Sequence, residues 1–445
     1  MRQNIEENRP LASTEEKQLL ESLLGKRYAK FLQTYLSCVD GLEVPGADEG
    51  AYTYESRRSR IKYELSLWVK ILESGSSDPK EFVSIYEEEY RRAKKNLAEN
   101  LCLIHNEVHK LEATYRGLDA FFVNAGQGKV DCITLMNVNT DELGDHDSEG
   151  TKAVRDELDR YNNRLTLRHR YSILVIPGYL GDVKTLRMWA RTAYMNRIIM
   201  LTDFKDCTTF EALMEELRIA HLQASDPYLG HVVMTVNYIL GRERSEQVGV
   251  DECLYIPASS ALAGCLANMQ KATIVQAAEG VTHGILDGFG TTRINLRYSE
   301  IDTLRDRGVI PIADEDGRVI AWGCHTLYDG SHKGLMEYST VRVSNWIESG
   351  LEHFCNEHAM EILTPGIRGE IMRDMHDFLR DCVESYGIID KYMELQIEQA
   401  PQDKTWTIRV NITPNTHFTT QDFGLTLIGR FSPYYVFLSW ERNIT

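Results

Sequence analysis

No stretch of the 445 residues approaches the roughly 18 uninterrupted apolar residues of a membrane span. The N-terminus, MRQNIEENRP, lacks the apolar run of a signal peptide. Both absences lead us to expect a protein that stays in the cytosol, with no direct membrane insertion. Paired cysteines are missing too. Nine cysteines (Cys38, Cys102, Cys132, Cys207, Cys253, Cys265, Cys324, Cys355 and Cys382) stand singly, with no CxxC pair and an odd total. That argues for reduced, mostly buried thiols over a disulfide frame or a zinc knuckle. Nor is there an excess of positive charge. Against 49 Lys and Arg stand 66 Asp and Glu, a net charge of -17, which gives no general reason to seek nucleic acid or anionic membrane. A protein partner suits this charge better.

Catalytic motifs are equally scarce. Gly284, Gly288 and Gly290 come near a glycine-rich loop, but no Walker lysine follows and the spacing misses the dinucleotide pattern. His353, Cys355, Glu357, His358 and Glu361 are possible metal ligands, yet they lack the HExxH spacing that sets two imidazoles one turn apart. Cys324, His325 and His332 lie near Asp329, which admits a thiol nucleophile with a base. No GxSxG elbow occurs. A metal- or thiol-dependent enzyme is therefore the remote reading. We expect no enzyme, no catalytic residue, no metal and no cofactor.

What the chain does have is apolar content, 43%, and length for two or three domains. Residues 1–112 read as helix almost throughout. Ser13 and Glu16 have capping-box spacing ahead of an apolar face over 14–39, and a second helix carries Ile61, Leu65, Trp68 and Leu72. Pro79 opens a third, whose Phe82, Tyr86, Tyr90, Ala93, Leu97, Leu101, Ile104, Val108 and Leu111 keep a narrow apolar stripe at about 3.6 residues per turn. Such a stripe resembles a coiled-coil seam, which packs along the protein's own body or receives a helix from another chain. From residue 113 the pattern is α/β. Apolar runs at 133–138, 173–176, 198–201 and 232–240 read as strands, helical stretches at 183–194 and 210–222 lie between some of them, and 141–170 reads as a charged excursion. From 341 onward, helices over 344–363 and 367–386 precede strands over 392–399, 405–413, 423–429 and 434–440. Trp406, Ile408, Val410 and Ile412 alternate with polar residues, so that strand should bury one face. The last run, YYVFLSW, is apolar on both faces and needs cover or a neighbour's strand.

Residues 293–327 decide between these readings. A helix, the Gly308 turn, a strand, the turn at 314–317 and a second strand ending in Trp322, Gly323, Thr326 and Leu327 resemble the contractile-tail sheath family. Where the family usually has Ala-Arg after Trp-Gly, this chain has Cys324 and His325. Upstream, Pro257, Ser259, Ala263, Gly264 and Ala267 resemble that family's helix entry. Tyr115, Arg116, Gly117 and Leu118 resemble the WRGL segment of the large type VI secretion sheath subunit, TssC, whose closing strand, Pro433 turn and final strand are matched by 426–440. The helical N-terminus favours that subunit over a phage-tail-like or extracellular contractile sheath, the alternative.

The resemblance implies an α/β (α+β) contractile-sheath core of mixed sheets flanked by helices over 113–340. A helical arm precedes it over 1–112, and a strand-rich region follows over 341–445. It also implies a bacterial cytoplasmic structural protein. Its partners would be a TssB-like small subunit, further copies of itself in a helical lattice, an Hcp-like inner tube, a baseplate and a ClpV-like AAA+ unfoldase, with no nucleic acid. Intersubunit strands would carry Trp406, Ile408, Val410, Ile412, Tyr434, Val436, Leu438 and Trp440. The helix over 367–386 would face the inner tube with Arg368, Glu370, Arg373, Asp377, Arg380 and Asp381, or present an ordinary solvated face. The helix over 14–39 would be the unfoldase's handle.

Overall fold

The computed structural model describes residues 61, 65 and 69, then 79–445 apart from 127–129, 131, 163–169, 245–251, 269, 272, 362–363, 400–404, 416–423, 435 and 445. The expected helix over 14–39 lies outside the described residues, as do Trp68 and Leu72; Ile61 and Leu65 are helical. The chain divides into two compact units, Met1–Ile104 with Gln247–Gly249, and His105–Glu246 with Val250–Thr445.

Helix α1, Pro79–Ala125, crosses that division, with proline at its first position where a missing N–H costs nothing. Val83, Tyr90, Leu97, Ile104 and Leu111 recur at seven-residue steps, and all five are exposed. Val108, Tyr115 and Phe122 form a second exposed row beside them. Among the described side chains of this helix, those that are buried, Ala120, Asn124 and Ala125, lie in its last turns.

In the larger unit, a six-stranded sheet has the order β1-β2-β3-β7-β8-β6, from β1 (Ile173–Ile176), β2 (Ile199–Asp203), β3 (Val232–Val236), β6 (Ile285–Leu286), β7 (Ile310–Glu315) and β8 (Arg318–Ala321). The first four run parallel, and β8 and β6 are antiparallel additions. Helix α2 (Glu149–Asn162) precedes β1, and α3 (Val183–Asn196), α4 (Phe210–Ala220), α5 (Ser259–Ala267), the short α6 (Gly280–His283) and α7 (Tyr298–Arg305) lie between strands in the sequence. A small ribbon pairs β4 (Ile239–Arg242) with β5 (Leu254–Ile256). β2 and β3 are buried along their whole length and mostly apolar, as parallel strands covered on both faces are.

The C-terminal ends of parallel strands are where open α/β sheets commonly bind ligands. Here the chain fills that place itself. Asp203, at the end of β2, accepts from the Gly178 and Ser259 amides, both at 2.9 Å, and from the Thr235 and Ser259 hydroxyls. A carboxylate at the N-terminus of α5 also meets the helix dipole favourably.

α8 (Tyr338–Glu357) and α9 (Pro365–Glu384) lead into a four-stranded antiparallel sheet of order β12-β11-β10-β9. Its strands are β9 (Ile389–Gln399), β10 (Trp406–Pro414), β11 (Leu425–Phe431) and β12 (Phe437–Ile444). Two apolar cores meet on α8: Val341 closes the first and Val343 opens the second, in which α9 packs Ile371, Met375 and Leu379 near Ile408, Val410 and Leu427 of the sheet. No helix among the described residues is long and apolar enough to cross a membrane.

The fold is mixed α/β, and several expected elements differ from those observed. Residues 133–138 form no strand: Ile133, Leu135 and Met136 are exposed in irregular chain with no sheet partner among the described residues. Strand propensity describes fit to a pleated, half-buried surface, and no such surface is supplied there. The run 232–240 breaks at Asn237, whose φ is 77° and whose amide donates to the Ile294 and Ile312 carbonyls at 2.9 and 2.7 Å. The helix expected over 344–363 starts earlier, at Tyr338, and ends at Glu357.

Candidate assembly surface

The residues that suggested a sheath are held by packing. Gly308 has φ +70°, and a Cβ there would lie 2.6 Å from the Thr326 carbonyl and 2.8 Å from Gln223, so only glycine closes this turn after α7. Thr326 donates its hydroxyl to the Leu335 carbonyl, its amide bonds the Met336 carbonyl, and the amide of buried Leu327 bonds the Val232 carbonyl at 3.2 Å. Gly323 takes φ +130° beside half-buried Trp322. Between β7 and β8, Asp316 and Gly317 both have positive φ, the signature of a two-residue hairpin turn. At Gly264 the backbones of α5 and α1 meet: an added Cβ would sit 2.3 Å from the Phe121 carbonyl. Arg116 donates to the Gly241 carbonyl at 2.8 Å and pairs with Glu112, which also holds Arg242.

The places considered for chemistry have other occupations. Burial first, then the Glu279 and Glu337 carboxylates, push the Cys324 thiol well above its ordinary value, the opposite of activation. His325 Nδ1 and both ring nitrogens of His332 have no hydrogen-bond partner among the described residues. His353–Glu357 within α8 and His358–Glu361 just beyond its end are local pairs at 3.5 and 3.1 Å, and no three potential ligands come together to hold a metal among the described residues. Gly284 is a packing glycine, its Cβ position 2.6 Å from the Ala321 carbonyl.

The surfaces left for a partner lie mainly in the C-terminal region. β10 is interior, flanked by β9 and β11, and Trp406, Ile408, Val410 and Ile412 are buried in the second core. Its backbone has no free edge among the described residues, since both sides are taken by strands of its own sheet. The two edges are β9 and β12. β9 is blunted by a register shift opposite Arg409 and Asn411, with Glu394 at φ 56° and exposed Lys391, Gln396 and Glu398 along it. β12 pairs regularly with β11 from Ser439 to Ile444, and no backbone bond occupies its other side among the described residues. Tyr434 and Val436 precede this strand instead of belonging to it. Leu438 is 54% exposed, and Trp440 is half-buried against Gly429 and Phe431. On α9, Arg368, Glu370, Arg373, Asp377, Arg380 and Asp381 are all exposed, with one ion pair among them, Arg380–Asp377 at 2.8 Å.

Residues 103–329 match the family described as the type VI secretion system TssC/VipB central domain, which is half of the chain. The chain belongs to the TssC/VipB family. It is thus a contractile-sheath protein, and Gly308, Thr326, Leu327 and Gly264 all lie within the matched segment. No curated protein sequence matches the chain. Among solved structures it is similar to a chain in the anti-feeding prophage baseplate, at 12% identity and TM-score 0.49, covering 74% of this chain and 80% of that one. The contracted helical sheath of the anti-feeding prophage matches at 14% identity and TM-score 0.47, with 64% and 72% covered. The sheath tail protein from Desulfitobacterium hafniense matches at 10% identity and TM-score 0.43, with 67% and 59% covered.

Proposed function

We propose that the chain is the large subunit of a type VI secretion contractile sheath, acting by assembly in the bacterial cytoplasm and not by catalysis. It pairs with a TssB-like small subunit. The heterodimers polymerise into a helical tube around an Hcp-like inner tube, on a baseplate. Contraction drives the inner tube outward, and a ClpV-like unfoldase then recycles the subunits, with the helix over 14–39 as its handle.

The observation that carries this reading is the regular, unoccupied edge of β12 in a chain of this family. An open edge invites a strand from another chain, and backbone pairing of that kind holds subunits together while they rotate. The exposed seven-residue apolar repeat of α1 supports a helical partner, and the unpaired charges of α9 suit weak, reversible contacts with an inner tube.

Coexpression with the small subunit, followed by negative-stain microscopy, tests the proposal. Hollow striated tubules are expected from the full chain and none after deletion of residues 431–445. Normal tubules from the deletion would refute strand addition at this edge.

A further inference from the structure

β12 is gripped by more than its ladder with β11. Near its end, Arg442 donates Nε to Glu348 Oε1 at 2.5 Å, and Nη2 to Glu348 Oε2 at 2.9 Å and to Asn345 Oδ1 at 2.6 Å. Both acceptors belong to α8. The Arg442 side chain is 10% exposed and that of Glu348 is 0%. At the start of the strand, the Arg197 guanidinium lies 4.6 Å from the centre of the Phe437 ring. Arg197 also pairs at 2.5 Å with Glu352, one helical turn beyond Glu348, and Arg170 pairs with the same carboxylate at 2.6 Å. Arg170 and Arg197 flank β1 and α3 of the first core. α8 thus holds the strand through one buried carboxylate and the core through the next.

Such a network is a poor device for stability alone. Removing two charges from water costs about as much as their pairing returns, and apolar side chains of similar volume often serve equally well. What a bidentate guanidinium–carboxylate pair adds is a fixed direction. Apolar packing would let β12 slide or roll over α8; a two-point fork near one end and a ring under a guanidinium at the other do not.

We infer that Arg442, through Glu348, is a positioning residue for assembly, holding β12 at the angle at which its open edge can receive a strand from another subunit. The inference rests on the strand-addition reading above. It assigns that role to a side chain on the face of the strand packed against α8.

The test compares the full-length wild type with Arg442→Met and with the pair Glu348→Met, Arg442→Met, each coexpressed with the small subunit. Thermal midpoint, amide exchange across β9–β12 and sedimentable tubules are read. Arg442→Met strands a buried carboxylate, so its midpoint falls. The double variant regains the midpoint, yet its β12 amides exchange about tenfold faster than wild type, and tubules remain lost. Recovery of tubules together with the midpoint would reduce Arg442 to a structural contact and overturn the inference. So would unchanged β12 exchange in both variants. A wild type that forms no tubules overturns the strand-addition reading and this inference with it, whereas wild-type tubules alongside a fully assembling double variant overturn the inference alone.

Discussion

Replacing His231 with Gln isolates a charge that the fold refuses. The imidazole is buried just ahead of β3, with Nε2 donating to Asn345 Oδ1 at 3.3 Å, its ring edge-on to Tyr194 at 5.2 Å, and Nδ1 without a hydrogen-bond partner among the described residues. Burial first, then the Arg442 guanidinium, push its pKa from 6.5 down to about 3. The unfolded chain takes up this proton near pH 6.5 and the folded chain only near pH 3, so between these values the unfolded state binds more protons. Stability therefore falls as pH drops through that window. At about 1.36 kcal/mol per pH unit the whole window is worth about 5 kcal/mol, and about 3 kcal/mol of it is gone by about pH 4.5. Glutamine keeps a donor for Asn345 and has no proton to gain. Urea unfolding of wild type and His231→Gln over about pH 7.5 to about pH 4.5 measures the difference. The variant is expected to be less stable at the neutral end and to close the gap, or pass the wild type, at the acid end. Parallel stability curves would show that the buried imidazole is not held neutral and would refute the reasoning.

Gly264→Ala places a methyl against the Phe121 carbonyl where α5 meets α1, and should cost about 3 kcal/mol as overpacking. Gly369→Ala, on the exposed side of α9 with nothing near its Cβ, should instead stabilise by about 0.5–1 kcal/mol. Thermal midpoints that moved the same way for both would contradict the packing account of the Gly264 position. Reversing charge at Arg368 and Arg373, both exposed and outside any ion pair among the described residues, should reduce assembly templated on the inner tube without lowering the midpoint. Unchanged templated assembly would leave α9 with an ordinary solvated face.

Much of the C-terminal region was legible because its periods are clean. Thr364 and Pro365 mark the start of α9, where the Thr364 hydroxyl accepts the Ile367 amide at 3.3 Å, and the alternation from Trp406 to Ile412 marks a strand with one buried face. The final strand was misplaced by about three residues for the complementary reason. YYVFLSW is apolar on both faces, so alternation gives no register, and the true strand continues through the polar Glu441, Arg442 and Asn443. For β10 the alternation reports a buried face but not what lies beside the backbone. Topology decides that, and it put β9 and β11 there.

The charged network was hidden for another reason. Arg442 lies 94 residues from Glu348, and Arg170 lies 182 from Glu352, so no local pattern joins them. One signal was present: Glu348 and Glu352 sit one turn apart, immediately after Ile347 and Leu351 of the buried stripe, where solvated carboxylates have no place. Two carboxylates drawn into the apolar sector of a helix require partners of opposite charge, which distant arginines then supply.

That placement bears on how a sheath subunit transmits force. Val341 belongs to one core and Val343 to the other, so α8 is shared, and beyond those residues the first core and β12 are joined to α8 by charge as well as by apolar contact. Apolar contacts are non-directional and tolerate small sliding, whereas buried ion pairs have discrete arrangements separated by unpaired, costly intermediates. Burial raises the Glu352 carboxyl, but Arg197 and Arg170 outweigh it and hold the group below its ordinary value, so the joint stays charged across the neutral range. Under the proposed function, a pull on β12 from a neighbouring subunit passes through Arg442 to Glu348, along one turn of α8 to Glu352, and into the first core through Arg170 and Arg197. A joint of this kind moves as a unit or breaks. That is the property required of a subunit that turns as a rigid body while its edge strands stay paired.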